Sequence, residues 1–223
     1  MPVLSNIFFQ GMGSERGFIA AQKGDFTTAL RRWIPLAEQG NAAAQFNLAL
    51  LFEYGQGVTQ DYKTAVKWHT LAAKKGDAFA QYALGMMYYQ GRGVAQDYKT
   101  AVKWHTLAAE QGDDVAQITL GSMYDQGHGV AQDYKTAVKW YTLSAEQGNA
   151  FAQYCLGDSY AEGQGVAQDY VKAHMWWNIA GIDGKSDAIK SRDDLAKKMT
   201  PAQIEKAQEA ASRCIKQNFK NCD

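Results

Sequence analysis

DYKTAVKWHTLAAKKGDAFAQYALGMMYYQGRGVAQ (residues 61–96) decides the fold, because the chain writes this stretch twice more with changes. The copies read DYKTAVKWHTLAAEQGDDVAQITLGSMYDQGHGVAQ (97–132) and DYKTAVKWYTLSAEQGNAFAQYCLGDSYAEGQGVAQ (133–168). A weaker copy precedes them over 25–60, and a half copy follows from Asp169. A fixed period of 36 residues signals a solenoid. Each unit is too small to bury its apolar face alone and must stack on its neighbours. Such chains more often bind than catalyse.

Each copy reads as two helices. Asp61, Asp97, Asp133 and Asp169 are placed as N-caps, with carboxylates that accept from the free amides of a first turn. Behind Asp61, the residues Tyr62, Ala65, Trp68, Ala72 and Ala73 fall on one apolar face at helical spacing. Gly76 ends that helix, Asp77 caps the next, and Ala80, Leu84, Met87 and Tyr88 form its buried side. Gly91 stops the second helix. Gly85 sits in its middle, where glycine costs about 1 kcal/mol against alanine. Its recurrence as Gly121 and Gly157 predicts a neighbouring helix that passes too close for a side chain. Past Gly184, Ser186 is expected to cap a helix through Lys198. Thr200-Pro201-Ala202-Gln203 reads as a capping box with proline at the first helical position, opening a helix through about Lys216. Twelve helices is the expected count.

The 223 residues are 46% hydrophobic and 21% charged, with a formal net charge of zero. That balance lacks the long-range attraction that nucleic acid or an acidic membrane surface requires. No apolar run approaches the roughly 20 residues of a membrane span. Ser5-Asn6-Ile7-Phe8-Phe9-Gln10-Gly11 resembles a degenerate viral-protease site of the kind placed between a tag and a protein. On that reading native sequence starts near Gly13, residues 1–13 are a tag remnant and any export signal has been removed; otherwise Val3 to Phe9 is a short native apolar segment. Cys155 lies inside a repeat, whereas Cys214 and Cys222 flank a short segment at the chain end. A bridge between those two would staple the tail and imply an oxidising compartment. Two reduced thiols in a cytosolic protein are the alternative.

The copies diverge chiefly in the second helix, at Phe79/Val115/Phe151, Tyr82/Ile118/Tyr154, Met86/Ser122/Asp158 and Tyr89/Asp125/Ala161. These positions form one stripe on one helical face. By contrast, Lys63, Lys67, Lys99, Lys103, Lys135 and Lys139 recur unchanged on the first helices, as a solvated face does.

Enzymatic readings find little. His69 and His105 occupy equivalent positions and continue as Tyr141 and Trp177, a ladder rather than a ligand cluster. His128 and His174 lie elsewhere, and neither HExxH nor CxxC spacing occurs. Thr64-x-x-Lys67 recurs as scaffold, and no Ser-x-x-Lys motif is present. Gly91-x-Gly93 lacks the third glycine of a phosphate loop. No catalytic residue, metal or cofactor is expected.

The pattern A-x-A-Q-x-x-L-G-x-M-Y-x-x-G-x-G-V-x-x-D-Y-x-x-A-x-x-W-x-x-x-A-A, over about 24–184, resembles the Sel-one-like repeat of the tetratricopeptide superfamily. Repeat one departs at Ala49, which replaces glycine, and carries Trp33 one place late. The tail around Thr200-Pro201 and Cys214/Cys222 resembles those of exported bacterial members. The resemblance implies an all-α, right-handed superhelical solenoid of stacked antiparallel helix pairs. Its array would span 14–184 (frames 25–60, 61–96, 97–132, 133–168 and a partial repeat over 169–184), with capping helices and a tail over 185–223.

The resemblance further implies that the variable stripe lines a concave groove. That groove would run through Phe46, Leu50, Glu53 and Tyr54; then Phe79, Tyr82, Met86 and Tyr89; then Ile118, Ser122 and Asp125; then Phe151, Tyr154, Asp158 and Glu162. Aromatic and methionine side chains are common interface anchors. The implied function is a monomeric scaffold or adaptor for another protein or peptide, periplasmic or secreted, with a cytoplasmic location as the alternative. Two other functions are a periplasmic immunity protein that binds a secreted toxin, and a β-lactam-binding hydrolase. The hydrolase is disfavoured because relatives assigned that activity carry a cysteine pair in each repeat.

Overall fold

The computed structural model describes residues 15–182 and 184–222, so the tag-like stretch over 1–13 lies outside the described residues. Among them are twelve α-helices and no strand. They are α1 (Glu15–Gln22), α2 (Phe26–Glu38), α3 (Ala42–Tyr54), α4 (Tyr62–Ala73), α5 (Ala78–Gln90) and α6 (Tyr98–Glu110), then α7 (Asp114–Gln126), α8 (Tyr134–Ala145), α9 (Ala150–Glu162), α10 (Tyr170–Ile182), α11 (Ser186–Ala196) and α12 (Pro201–Lys216). The fold class is the all-α solenoid of antiparallel helix pairs. The chain divides into two compact units, one ending at Gln111 and one beginning at Gly112. In the first, each helix packs on the next in sequence, from α1 to α6. In the second, α7 to α10 pack in the same way, and α10 also holds α11 and α12.

Local chemistry sets the helix limits. Asp61 Oδ1 accepts from the amides of Lys63 and Thr64 at 3.0 and 3.2 Å. The Thr64 hydroxyl donates to Asp61 Oδ2 at 2.7 Å and, with those amides, holds the carboxyl below its ordinary range. Asp97 and Asp133 repeat this arrangement. The second helices end on left-handed glycines, such as Gly91 at φ 71°. Gln96 Nε2 then donates to the Tyr89 carbonyl at 2.8 Å, satisfying one of the helix-end acceptors. Gln60, Gln132 and Gln168 do the same for their own helices. Gly93 is needed twice over. Its φ is +71°, and a Cβ there would lie 2.5 Å from the Tyr62 carbonyl.

From α4 to α8 the buried aromatic column lies one residue beyond the tryptophans, whereas Trp176 on α10 is itself only 3% exposed. Trp68, Trp104 and Trp140 are half-buried. Trp33, His69 and His105 are 0% exposed, and Tyr141 and Trp177 only 4% and 6%. The late tryptophan of repeat one therefore sits in the buried register. The mid-helix glycines make room for this ladder. A Cβ on Gly85 would come within 2.7 Å of the His105 ring, on Gly121 within 2.6 Å of Tyr141, and on Gly157 within 2.3 Å of Trp177. The recurring glutamines tie helix to helix: Gln81 Nε2 donates to the Ala73 carbonyl at 3.1 Å, and Gln45 to that of Ala37 at 2.9 Å.

Lys185, not Ser186, is the N-cap of α11, and it makes no side-chain cap bond. Ser186 is already helical, and the helix ends at Ala196 rather than Lys198. The Thr200/Gln203 capping box on α12 is complete. Cys214, in the last turn of α12, is joined in a disulfide to Cys222 beyond the helix. The tail between them turns back through three positive-φ residues, Asn218, Phe219 and Asn221. Phe219 packs into the core of its unit, and Lys220 Nζ lies 3.7 Å from Glu146. Replacing Cys222 by serine is expected to cost about 2–3 kcal/mol through restored chain entropy of the unfolded state. Denaturant unfolding should show the loss, and an unchanged midpoint would mean that the tail is held by packing alone.

Candidate functional site

In the first unit the variable stripe comes from α3 and α5. Helix α3 is apolar nearly all round, with every residue from Ala43 to Leu51 buried, and such a helix belongs to the core. Phe46 and Leu50, at 5% and 7% exposure, therefore pack between helices instead of lining an open face. The Phe46 ring meets His69 at 5.5 Å and Phe79 at 6.1 Å between centroids. Glu53 Oε2 lies 3.3 Å from Nε2 of His69, which draws that carboxylate inward. Tyr54 and Phe79 are the open members, at 51% and 45% exposure. Partial burial, with the Glu53 charge beside it, pushes the Tyr54 phenol up. Tyr82, Met86 and Tyr89 are half-buried. Tyr82 packs on His105 at 5.4 Å, and Tyr89 meets Tyr98 edge-on at 5.1 Å. These rings both support the scaffold and show an edge to solvent.

In the second unit the stripe comes from α7 and α9. Ile118, 7% exposed, belongs to the core. Ser122 is half-buried and accepts from the Tyr141 hydroxyl at 3.5 Å. On α9, Phe151, Tyr154, Asp158 and Glu162 succeed one another along one face. Phe151 is 48% exposed, and its ring lies 6.4 Å from that of Tyr154. Asp158 accepts from Trp177 Nε1 at 3.0 Å. Burial pushes its carboxyl up to about 6, opposed by that hydrogen bond and reinforced by the charges of Glu162 and Asp125. Asp125 is raised too, by burial and then by Glu162. The three carboxylates thus sense one another across α7 and α9, an arrangement that a cation relieves.

A group the sequence reading did not place in the site completes it. Lys185 Nζ stands 4.6 Å from the Phe151 centroid and 5.2 Å from that of Tyr154. Nearby Cys155 is unbridged. Burial first, then Asp158 and Asp125, push its thiol up to about 12, so it stays protonated at neutral pH and is a poor nucleophile. Among the described residues, no group of three or more His, Cys, Asp or Glu is placed to hold a metal ion. No described helix is long and apolar enough to cross a membrane. The first-helix lysines at 63, 67, 99, 103, 135 and 139 are all exposed.

The Sel1 repeat family profile matches residues 42–77, 78–113, 114–149 and 150–184. These frames start at the second helix of each 36-residue copy, so they join the helix pairs that pack most extensively within the units, such as α3 with α4 and α9 with α10. No curated protein matches the chain. Among solved structures, one similar protein is a protective antigen present in uropathogenic Escherichia coli strains, displaying an SLR fold. It is 34% identical with a TM-score of 0.83 over 92% of this chain, and this chain spans only 45% of its length. A Sel1 repeat protein from Oxalobacter formigenes is 31% identical with a TM-score of 0.72, covering 89% of this chain and 85% of its own. A sel1 repeat protein from Klebsiella pneumoniae subsp. pneumoniae, at 22% identity and a TM-score of 0.51 over 81% of this chain and 89% of its own, shares the fold. With the profile matched over more than half of its residues, the chain belongs to the Sel1 repeat family.

Proposed function

We propose that this protein is a non-catalytic scaffold that binds a basic or amine-bearing segment of another protein along the second-helix stripes. Sel1 repeat proteins generally mediate protein–protein interactions. What supports the finer reading is one observation: on nearly identical scaffolds, open aromatic and acidic side chains vary along a single face while the lysine face stays constant. Tyr54 and Phe79 supply apolar anchors on the first unit, and Phe151 supplies one on the second. Asp125, Asp158 and Glu162 supply a field that favours cations. A periplasmic or secreted location is part of the proposal, supported by the Cys214–Cys222 bridge, since such bonds persist in oxidising compartments.

The test is selection of peptides from a random display library on the intact protein. Retained sequences are expected to be rich in lysine or arginine. Changing both Asp125 and Glu162 to lysine should slow association of such a peptide about tenfold at low ionic strength, with the effect shrinking as salt rises. The triple change Lys63→Glu, Lys99→Glu, Lys135→Glu should not weaken binding. If instead that triple change abolishes binding while the stripe variants bind normally, the wrong face has been assigned.

A further inference from the structure

We propose that Phe151 and Tyr154 form a seat for a primary ammonium group, that Lys185 occupies this seat in the free protein, and that a lysine of the bound segment displaces it. This rests on the basic-segment reading above and adds both the chemical identity of the contact and a built-in competitor.

The geometry carries the argument. An ammonium within about 6 Å of a ring centroid is held by the quadrupole of the ring. Lys185 Nζ meets that condition at two rings at once, at 4.6 and 5.2 Å. The rings project from successive turns of α9, and Phe151 remains 48% exposed. Lys185 precedes α11 with extended backbone, φ −68° and ψ 98°, and its side chain caps nothing. Behind it, Gly184 takes φ +80°, and a Cβ there would meet nothing within 4 Å. The side chain can therefore leave the rings without dismantling a helix cap or a packed core. One and two turns further along α9, Asp158 and Glu162 lie on the same face, so a peptide lysine arriving at the rings has carboxylates beside its path. A contact of this exposed kind changes an equilibrium by roughly 2–5-fold. A ligand that must displace Lys185 loses affinity by a factor of that size, as for any site only partly available in the free state.

The experiment follows Lys185 directly. In the free protein its ε-methylene protons should be shifted upfield by the ring currents of Phe151 and Tyr154. Titration with an acetylated, amidated tri-lysine peptide should return them toward the free-lysine position in step with binding. Lys185→Gln should tighten the peptide by roughly 2–5-fold. Adding Phe151→Leu and Tyr154→Leu to that variant should erase the gain, whereas a gain that came only from removing a positive charge would survive. Binding while Lys185 stays on the rings, no tightening in Lys185→Gln, or a gain that survives loss of the rings would each overturn the proposal. In those cases peptides selected as above would still report on the stripe, and only failure of the Asp125/Glu162 reversal to weaken them would remove the basic-segment reading itself.

Discussion

Replacing Trp177 by alanine is expected to destabilise the second unit by about 3–5 kcal/mol, the range for truncating a large aromatic in a packed core. Trp177 is 6% exposed, lies against Gly157 where even a Cβ would collide, and donates to Asp158. Alanine there opens a cavity and strips a half-buried carboxylate of a donor at the same time. Trp140→Ala removes the same side chain from a half-buried position on α8, just before Tyr141, and should cost roughly half as much, in proportion to the area it hides. Denaturant unfolding of both variants compares the two registers directly. For Trp177→Ala, hydrogen exchange should place the loss in α9 and α10, since damage in a repeat array stays near its neighbours. An equal or larger loss in Trp140→Ala would overturn the assignment of the buried ladder.

Acid should act on the first unit through His105. This ring is 0% exposed, and neither nitrogen has a hydrogen-bond partner. Burial alone lowers its pKa from 6.5 to about 4. The unfolded chain therefore takes up the proton first. The stability contributed by neutral His105 is complete above pH 6.5 and is lost as pH falls toward 4, by roughly 3 kcal/mol in all. His105→Tyr places in this slot the residue that its counterpart Tyr141 already fits against Gly121. Relative to the parent, that variant should gain about 2–3 kcal/mol between pH 7 and pH 4.5 in denaturant unfolding. His174 is lowered as well, by burial and the Arg192 charge, but it is present in both proteins and cancels. A constant difference between the two proteins across this pH range would show that His105 is solvated.

Helix limits were readable in the sequence because three copies state them three times. Asp61, Asp97 and Asp133 are followed by the same Lys-Thr pair and make the same bonds. The mid-helix glycines were equally plain, since only a close approach explains glycine at a position that otherwise favours alanine. The register of the core was harder. Trp68 looks more buried than His69 on hydrophobicity, yet the imidazole is the fully buried ring and the indole packs half-buried against the core. Phe46, Leu50 and Ile118 fall on the stripe by period. The burial of the first two is foreshadowed by a helix α3 that is apolar nearly all round, whereas that of Ile118 depends on how tightly α7 is enclosed. Lys185 could not be found by comparing copies, because the repeat pattern has stopped by Gly184 and the residue has no counterpart.

Amide chemical-shift mapping tests most directly which face of the protein meets its partner. A lysine-rich peptide selected on the protein, titrated into the isotope-labelled chain, should shift α9 from Phe151 to Glu162, Asp125 on α7 and the amides around Lys185. The amides around the exposed lysines of α4, α6 and α8 should stay in place. Shifts concentrated on α4, α6 and α8, with α9 and Lys185 silent, would contradict the stripe assignment.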